Sequence, residues 1–485
     1  MNMPHPFSHS RRQFLKQSLA LGGLATLGGV SAQSTSNYKA LVCVFLAGGN
    51  DAFNTVLATD DDSWSAYSSV RSSLALTKSS LLTLSPVAAL PNSRTLALHP
   101  QLTGLQTLFN TQRRLAVVAN VGPLIEPLTK AEYLAQSKQL PAKLFSHNDQ
   151  QSTWQSMQPE GATYGWGGRL VDPTALSKSQ EPNAAVEKRL FSAISAAGNV
   201  VWAAGQTAKP YQLTTSGALR LGVTADANGV DRVFGSAEVA TALKQIAGQS
   251  RSSHVMEADV AAVAQRSMEV EAAIRARMPA ADASPFGPST ALVYTKPDGS
   301  TATNSLAQQL QVVARTIAAQ ADLGMSRQVF FVSLGGFDTH DDQLTRQADL
   351  FAKLNHGLVY FDSVLSSLGM LNNVTTFTAS DFGRGFTSNG DGTDHGWGAH
   401  HFVMGGAVQG GTVAGTFPTY SVKNTANNYF DGSADLLYNG VMLPTTSVDQ
   451  YAGTLGRWFG ADAASLSSIF PNLGNFAQSN LGLLA

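Results

Sequence analysis

Gln328-Val-Phe-Phe-Val-Ser-Leu334 runs into Gly335-Gly336-Phe337-Asp338-Thr339-His340, and this passage decides how the rest of the chain is read. A run of strand-forming residues breaks on a glycine pair that permits a sharp bend, and the bend delivers a carboxylate and an imidazole two positions apart. The pattern recurs. Ala40-Leu-Val-Cys-Val-Phe-Leu-Ala47 ends in Gly48-Gly49-Asn50-Asp51, and Val374-Thr-Thr-Phe-Thr-Ala379 ends in Ser380-Asp381-Phe382-Gly383-Arg384. Three apolar runs that each spill into a carboxylate predict strand ends converging on one polar site, because open α/β sheets bind ligands beyond the carboxyl ends of their strands. Imidazole and carboxylate groups gathered there are the ligand set of Zn²⁺ and related cations.

Around these runs the chain alternates strand-like and helix-like pieces. Gln101–Asn110, Leu306–Ala321 and Asp342–Leu368 read as helices, and Leu115–Ala119 and Phe402–Met404 as strands. Strand–helix–strand order with apolar strands, Phe402–Met404 included, predicts parallel pairing and so a mostly parallel central sheet. Thr129 and Glu132 form a capping pattern before a short helix, and Ser447 is placed to cap a helix running to Phe459. Residues from about 181 to 305 differ: Val200–Ala204 and Tyr211–Thr215 read as strands, Val255–Met278 as a helix, and Pro279–Asn304 as an exposed Pro- and Gly-rich loop. This middle part is expected to be an inserted cap or lid on a single α/β domain spanning 33–485.

The densest chemistry lies in Asp394-His395-Gly396-Trp397-Gly398-Ala399-His400-His401, which holds three of the chain's ten histidines. A glycine-rich loop is costly to order, and a bound cation is a natural reason to order it. Arg384 presents its fork either to a phosphate or sulfate oxygen or to Asp381 or another carboxylate as a bridge. Ser146 and His147 are adjacent in Phe145-Ser146-His147-Asn148-Asp149-Gln150, and adjacent side chains point apart. They therefore read as separate site members, not as a nucleophile–base pair. No Gly-x-Ser-x-Gly elbow and no phosphate-loop lysine motif occurs, which demotes α/β-hydrolase and nucleotide-hydrolase chemistry.

Ser10-Arg11-Arg12-Gln13-Phe14-Leu15-Lys16, a short apolar stretch and Val30-Ser31-Ala32 make residues 1–32 a twin-arginine export signal. The chain is thus expected in the periplasm or outside the cell, delivered folded by the twin-arginine machinery and without an integral membrane anchor. A formal charge of −1 offers no footprint for nucleic acid. Cys43, the single cysteine, sits inside an apolar run and reads as a buried thiol.

Taken together, Phe45–Asp51, Phe145-Ser146-His147, Gly335–His340, Ser380–Arg384, Gly392–Gly398 and Pro444–Gln450 carry a resemblance. The chain resembles an uncharacterised, twin-arginine-exported bacterial family grouped with the alkaline phosphatase and sulfatase superfamily. That resemblance implies an alkaline-phosphatase-like three-layer α/β sandwich and a site for one or two divalent cations, zinc first, with calcium and manganese as alternatives. It implies Asp51, Asp338, His340, Asp381 and His395 or His400 as metal ligands. Where many superfamily members carry an Asp-His pair this chain has Asp381-Phe382, so Asp394 or His395 must replace that imidazole. The expected activity is metal-dependent hydrolysis of a small phosphate or sulfate ester. Ser146 or a water would be the nucleophile, His147 a ligand or proton donor, and Arg384 the partner of the anionic group. The competing expectation is a non-catalytic periplasmic binding or assembly protein on a degenerate scaffold, since Thr129 and Ser146 are the only nucleophile candidates and Thr129 already caps a helix.

Overall fold

The computed structural model describes residues 37–172, 191–218, 220, 224–225, 230–251 and 253–485; the expected export signal at 1–32 lies outside the described residues. Among them, the main sheet has ten strands: β1 (Lys39–Ala47), β2 (Leu115–Gly122), β3 (Ala193–Ser195), β4 (Tyr211–Thr214), β5 (Gly217–Ala218), β6 (Arg327–Gly335), β7 (Val374–Ser380), β8 (Ala399–Met404), β9 (Val413–Ala414) and β10 (Thr446–Ser447). Their spatial order is β9-β2-β8-β7-β1-β6-β3-β4-β5, with β10 also beside β2. β1 lies at the centre, parallel to β6 on one side and β7 on the other.

β1 is apolar without alternation, the signature of a strand covered on both faces. Successive side chains of a strand point to opposite faces. Ala40, Val42, Val44 and Leu46 accordingly join one core, and Leu41, Cys43 and Phe45 the other. Phe330 and Val332 divide from Val329 and Phe331 in the same way. The first core is closed by helices Thr103–Asn110, Ser305–Ala318 and Gln343–Ser367, through Leu105, Leu310 and Phe351 among others. The second is closed by helices His147–Ser156, Trp166–Leu170 and Val448–Phe459, through Trp154, Leu170 and Leu455. At about 1.5–3 kcal/mol per fully buried large apolar side chain, these two cores are the main stabilising term. The result is a mixed α/β sandwich of three layers with a mostly parallel central sheet.

Several expectations need correction. β8 pairs antiparallel with β7 and with β2. No helix joins β7 to β8; the chain returns through the short hairpin Arg384–Ser388 with Thr393–His395, and a parallel pair needs a longer crossover. Residues 200–204 form a turn and not a strand, while Tyr211–Thr214 is a strand as expected. Pro279–Asn304 is not wholly exposed: it contains the hairpin Val293–Thr295 with Thr301–Thr303, and Phe286 and Tyr294 are buried. Of the expected cap, residues 191–218 extend the main sheet through β3 to β5, and Ala237–Gly248 and Val255–Arg277 are helices. Tyr38–Ala485 is one compact unit. No helix among the described residues is long and apolar enough to cross a membrane.

Candidate functional site

Three neighbouring parallel strands end together. Ala47 of β1 is level with Gly335 of β6, and Leu46 is level with Ser380 of β7. The chain beyond β1 turns at once on Gly48, whose φ is +119° and where a Cβ would lie 2.3 Å from the backbone nitrogen of Asp338. Only glycine fits such a turn, and its absent side chain lets the segments after β1 and β6 touch. Asp338 and Asp381 therefore emerge on either side of Gly48.

Asp338 is the centre of the cluster. Its Oδ1 lies 3.1 Å from His340 Nε2 and 3.5 Å from His395 Nε2, and its Oδ2 lies 3.6 Å from His147 Nε2. The Nε2 atoms of His340 and His395 are 3.0 Å apart. Arg384, fully buried, donates to Asp338 Oδ1 at 2.7 Å and to the Gly48 carbonyl at 3.2 Å. Burial raises the Asp338 pKa, but the Arg384 hydrogen bond and the charges of Arg384, His340 and His147 outweigh it, so the carboxyl is held below its usual range.

Each of two imidazoles is oriented by its other nitrogen. His147 Nδ1 donates to Asp381 Oδ2 at 2.6 Å, which turns Nε2 inward; that atom is shielded from solvent and has no hydrogen-bond partner. Asp381 is itself fixed, accepting from the Gly48 backbone N–H at 3.0 Å and from Gln151 Nε2 at 2.8 Å. His395 Nδ1 lies 2.8 Å from the Phe145 carbonyl, which can only accept, so Nδ1 carries the proton and Nε2 keeps its lone pair. The Asp381 hydrogen bond raises the pKa of His147 against the opposing effect of burial. For His395, burial lowers it, helped by Arg384 and His147 and opposed by Phe145 and Asp338. The two imidazole rings meet edge to face at 4.5 Å, and the ring of Phe382 packs against both, 4.8 Å from His147 and 4.6 Å from His395.

This donor set fits a divalent cation. Donors about 2.0–2.1 Å from one centre stand about 3.3 Å from each other in a tetrahedron, and the separations of His340 Nε2, His395 Nε2 and Asp338 Oδ1 from one another, 3.0, 3.1 and 3.5 Å, lie near that value. Ligand atoms of His147, Asp338 and His395 all lie within 4.8 Å of one another. An imidazole held by a carboxylate or carbonyl through its far nitrogen is the usual support of a metal-ligating histidine. His147, Asp338 and His395 are the residues that would hold the ion; His340 lies outside that group but within 3.0 Å of His395 and 3.1 Å of Asp338 as a further ligand candidate, and Asp381 and Arg384 would orient the set.

Of the residues expected from sequence, Asp51 and His400 stand apart. Asp51 is buried in an ion pair with Arg71, caps the turn Ala52–Asn54 through the Phe53 N–H, and accepts from Gln343 Nε2 at 2.6 Å. His400 lies in the core, where its Nδ1 accepts from the Asn120 backbone at 3.1 Å, its ring stacks on Phe417, and burial lowers its pKa to about 3. Asp381 reaches the cluster with both oxygens occupied by N–H groups, so it supports His147 instead of offering a free ligand atom. Arg384 is turned to Asp338 and to Thr393. Ser146 Oγ donates to Asp149 at 2.9 Å. Sequence reasoning missed Gln151, although its spacing of four from His147 on one helix places both side chains on the Asp381 face. The Phe145 carbonyl had no signal, because backbone atoms carry none.

A family model described as Protein of unknown function (DUF1501) matches residues 38–470. No curated protein matches the chain. Among solved structures it is similar to Ps i-CgsB, at 8% identity and a TM-score of 0.35, covering 90% of this chain and 77% of that one. It is also similar to the PsFucS1 sulfatase from Pseudoalteromonas sp., at 10% identity and a TM-score of 0.29, covering 88% and 72%. A mutant of the alkaline phosphatase PafA aligns at 12% identity and a TM-score of 0.24, covering 72% and 63%. Scores this low carry no argument about activity.

Proposed function

The chain belongs to the DUF1501 family, and from that premise we propose that it is an exported, metal-dependent hydrolase of phosphate or sulfate esters. One observation carries the reading: Nε2 atoms of His147, His340 and His395 converge on the Asp338 carboxylate, with His147 and His395 held from behind by Asp381 and Phe145. A bound divalent cation, zinc first with calcium and manganese as alternatives, would act there as a Lewis acid and lower the pKa of a water. Asp338, kept ionised by Arg384, supplies the negative charge that a cation needs. Asp338 and His340 are the ligand candidates most open to solvent, with 45% and 43% of their side chains exposed, so substrate would approach from their side. Arg384, buried against Asp338, positions that carboxylate and does not grip the ester.

Protein prepared with zinc, manganese or calcium should retain about one ion per chain by elemental analysis. Asp338→Ala and His395→Ala should abolish retention, and Asp381→Asn should weaken affinity about 10–100-fold. Protein free of metal in all three preparations would overturn the assignment. A second reading, a metal-bearing binding protein without turnover, is favoured by the engagement of Ser146 with Asp149 and of Arg384 with Asp338. Aryl phosphate, phosphodiester and sulfate esters separate the two: hydrolysis lost in Asp338→Ala supports the enzyme, and inertness with metal bound supports the binder.

A further inference from the structure

Away from the histidine cluster, a cavity of about 370 Å³ is lined by Leu124, Leu140, Met157 and Val448, with Asp449 among them. Asp449 is only 2% exposed. Its carboxylate accepts from the Asn472 backbone N–H at 3.0 Å, and no salt bridge to it exists among the described residues. No other residue lining the cavity is ionisable. A buried carboxylate with no countercharge is an expensive group to retain, since isolated charges are disfavoured in apolar surroundings. Its place in the first turn of Val448–Phe459 offers partial compensation from the helix terminus. Burial nevertheless raises its pKa to about 6, with the Asn472 hydrogen bonds opposing.

We propose that this cavity binds a small aliphatic ammonium group, with Asp449 as the countercharge and the apolar wall receiving the stem. The chemistry is complementary on both counts. An alkylammonium ion would bring the missing positive charge, and its methylene groups would lie along Leu124, Leu140, Met157 and Val448, with Gln139, Thr153 and Asn472 as further polar lining. The volume lies at the small end of ligand pockets, which run from about 300 to 1,000 Å³, so the cavity suits a short chain and not a polymer. The same group could come from a free amine or from the side chain of a lysine.

Calorimetric titration of the full chain with n-butylammonium and with N-acetyl-lysine methylamide tests the proposal and separates those sources. At least one should bind saturably with a Kd of about 1 mM at neutral pH, the range expected for so few heavy atoms. Butan-1-ol, of the same shape and uncharged, should bind at least tenfold more weakly. Asp449→Asn keeps an oxygen for the Asn472 N–H and should lose at least tenfold in ammonium affinity. Ala142→Trp, at the rim of the cavity, should block binding while leaving Asp449 in place. Below pH 6 the carboxyl protonates while the amine stays charged, so affinity should fall. Absence of saturable binding by either amine, equal binding of butanol, or an unchanged Asp449→Asn variant would each overturn the proposal; in the last case Asp449 serves only to hold the Asn472 turn.

Discussion

Asp51, Asp338, Asp381 and Asp449 are the same side chain in four circumstances, and their neighbours alone assign the roles. Asp51 meets Arg71 and becomes a structural ion pair. Asp381 meets three N–H donors and becomes the support of an imidazole. Asp338 faces three imidazole nitrogens and keeps a charge to offer. Asp449 meets no cation and has its pKa raised from 3.8 to about 6. Such a raised pKa means that the folded state holds the proton more tightly, so stability is highest below the unfolded value and is lost as pH climbs from about 4 to about 6. Above that window the cost is about 3 kcal/mol. Asp449→Asn should therefore raise the denaturation midpoint at pH 7.5 and leave it nearly unchanged at pH 4, as read by urea titration at both values. An equal effect at the two values would show that the carboxyl carries no such cost.

At the scale of elements, the decisive device is a strand followed at once by a glycine turn. β1 and β6 bring their ends level, and Gly48 lets the two turns lie against each other. Adding one methyl group at Gly48 demands a left-handed backbone that L-residues rarely adopt and pushes on Asp338. Gly48→Ala should lower stability by about 1–3 kcal/mol and weaken metal binding by more than its effect on folding explains. Comparing the urea midpoint of the metal-free protein with its metal affinity distinguishes the two contributions. These runs were legible because their composition is extreme: Lys39–Ala47 and Arg327–Gly335 fall within a residue or so of where apolarity places them. The Thr129 and Ser447 caps were legible for a similar local reason, and both form full capping boxes. The direction of β8 was not, because Ala399–Met404 is equally apolar whichever way it runs, and only the hairpin before it decides.

For the molecule as a whole, binding of an ion to the native state alone must raise its stability. At a free concentration about one hundred times Kd the gain is about 2.7 kcal/mol. Unfolding scans with metal should show a midpoint several degrees above scans with chelator, and the difference should vanish in Asp338→Ala. A midpoint indifferent to chelator would contradict the metal reading. The candidate site was legible as a list of residues and less so as an arrangement. His147, Asp338, His340 and His395 meet because the carboxyl ends of central strands, the hairpin after β7 and one helix start lie together. Asp51 follows the same glycine-rich turn as Gly48, yet Arg71, brought by a helix that sequence cannot place beside it, takes its charge.

His147 is the first residue of the helix His147–Ser156, and Thr153 and Met157, at its far end, line the Asp449 cavity. Ten residues of helix make a stiff rod about 15 Å long. The imidazole that faces Asp338 and one wall of the Asp449 chamber are therefore carried by the same rigid piece of the chain.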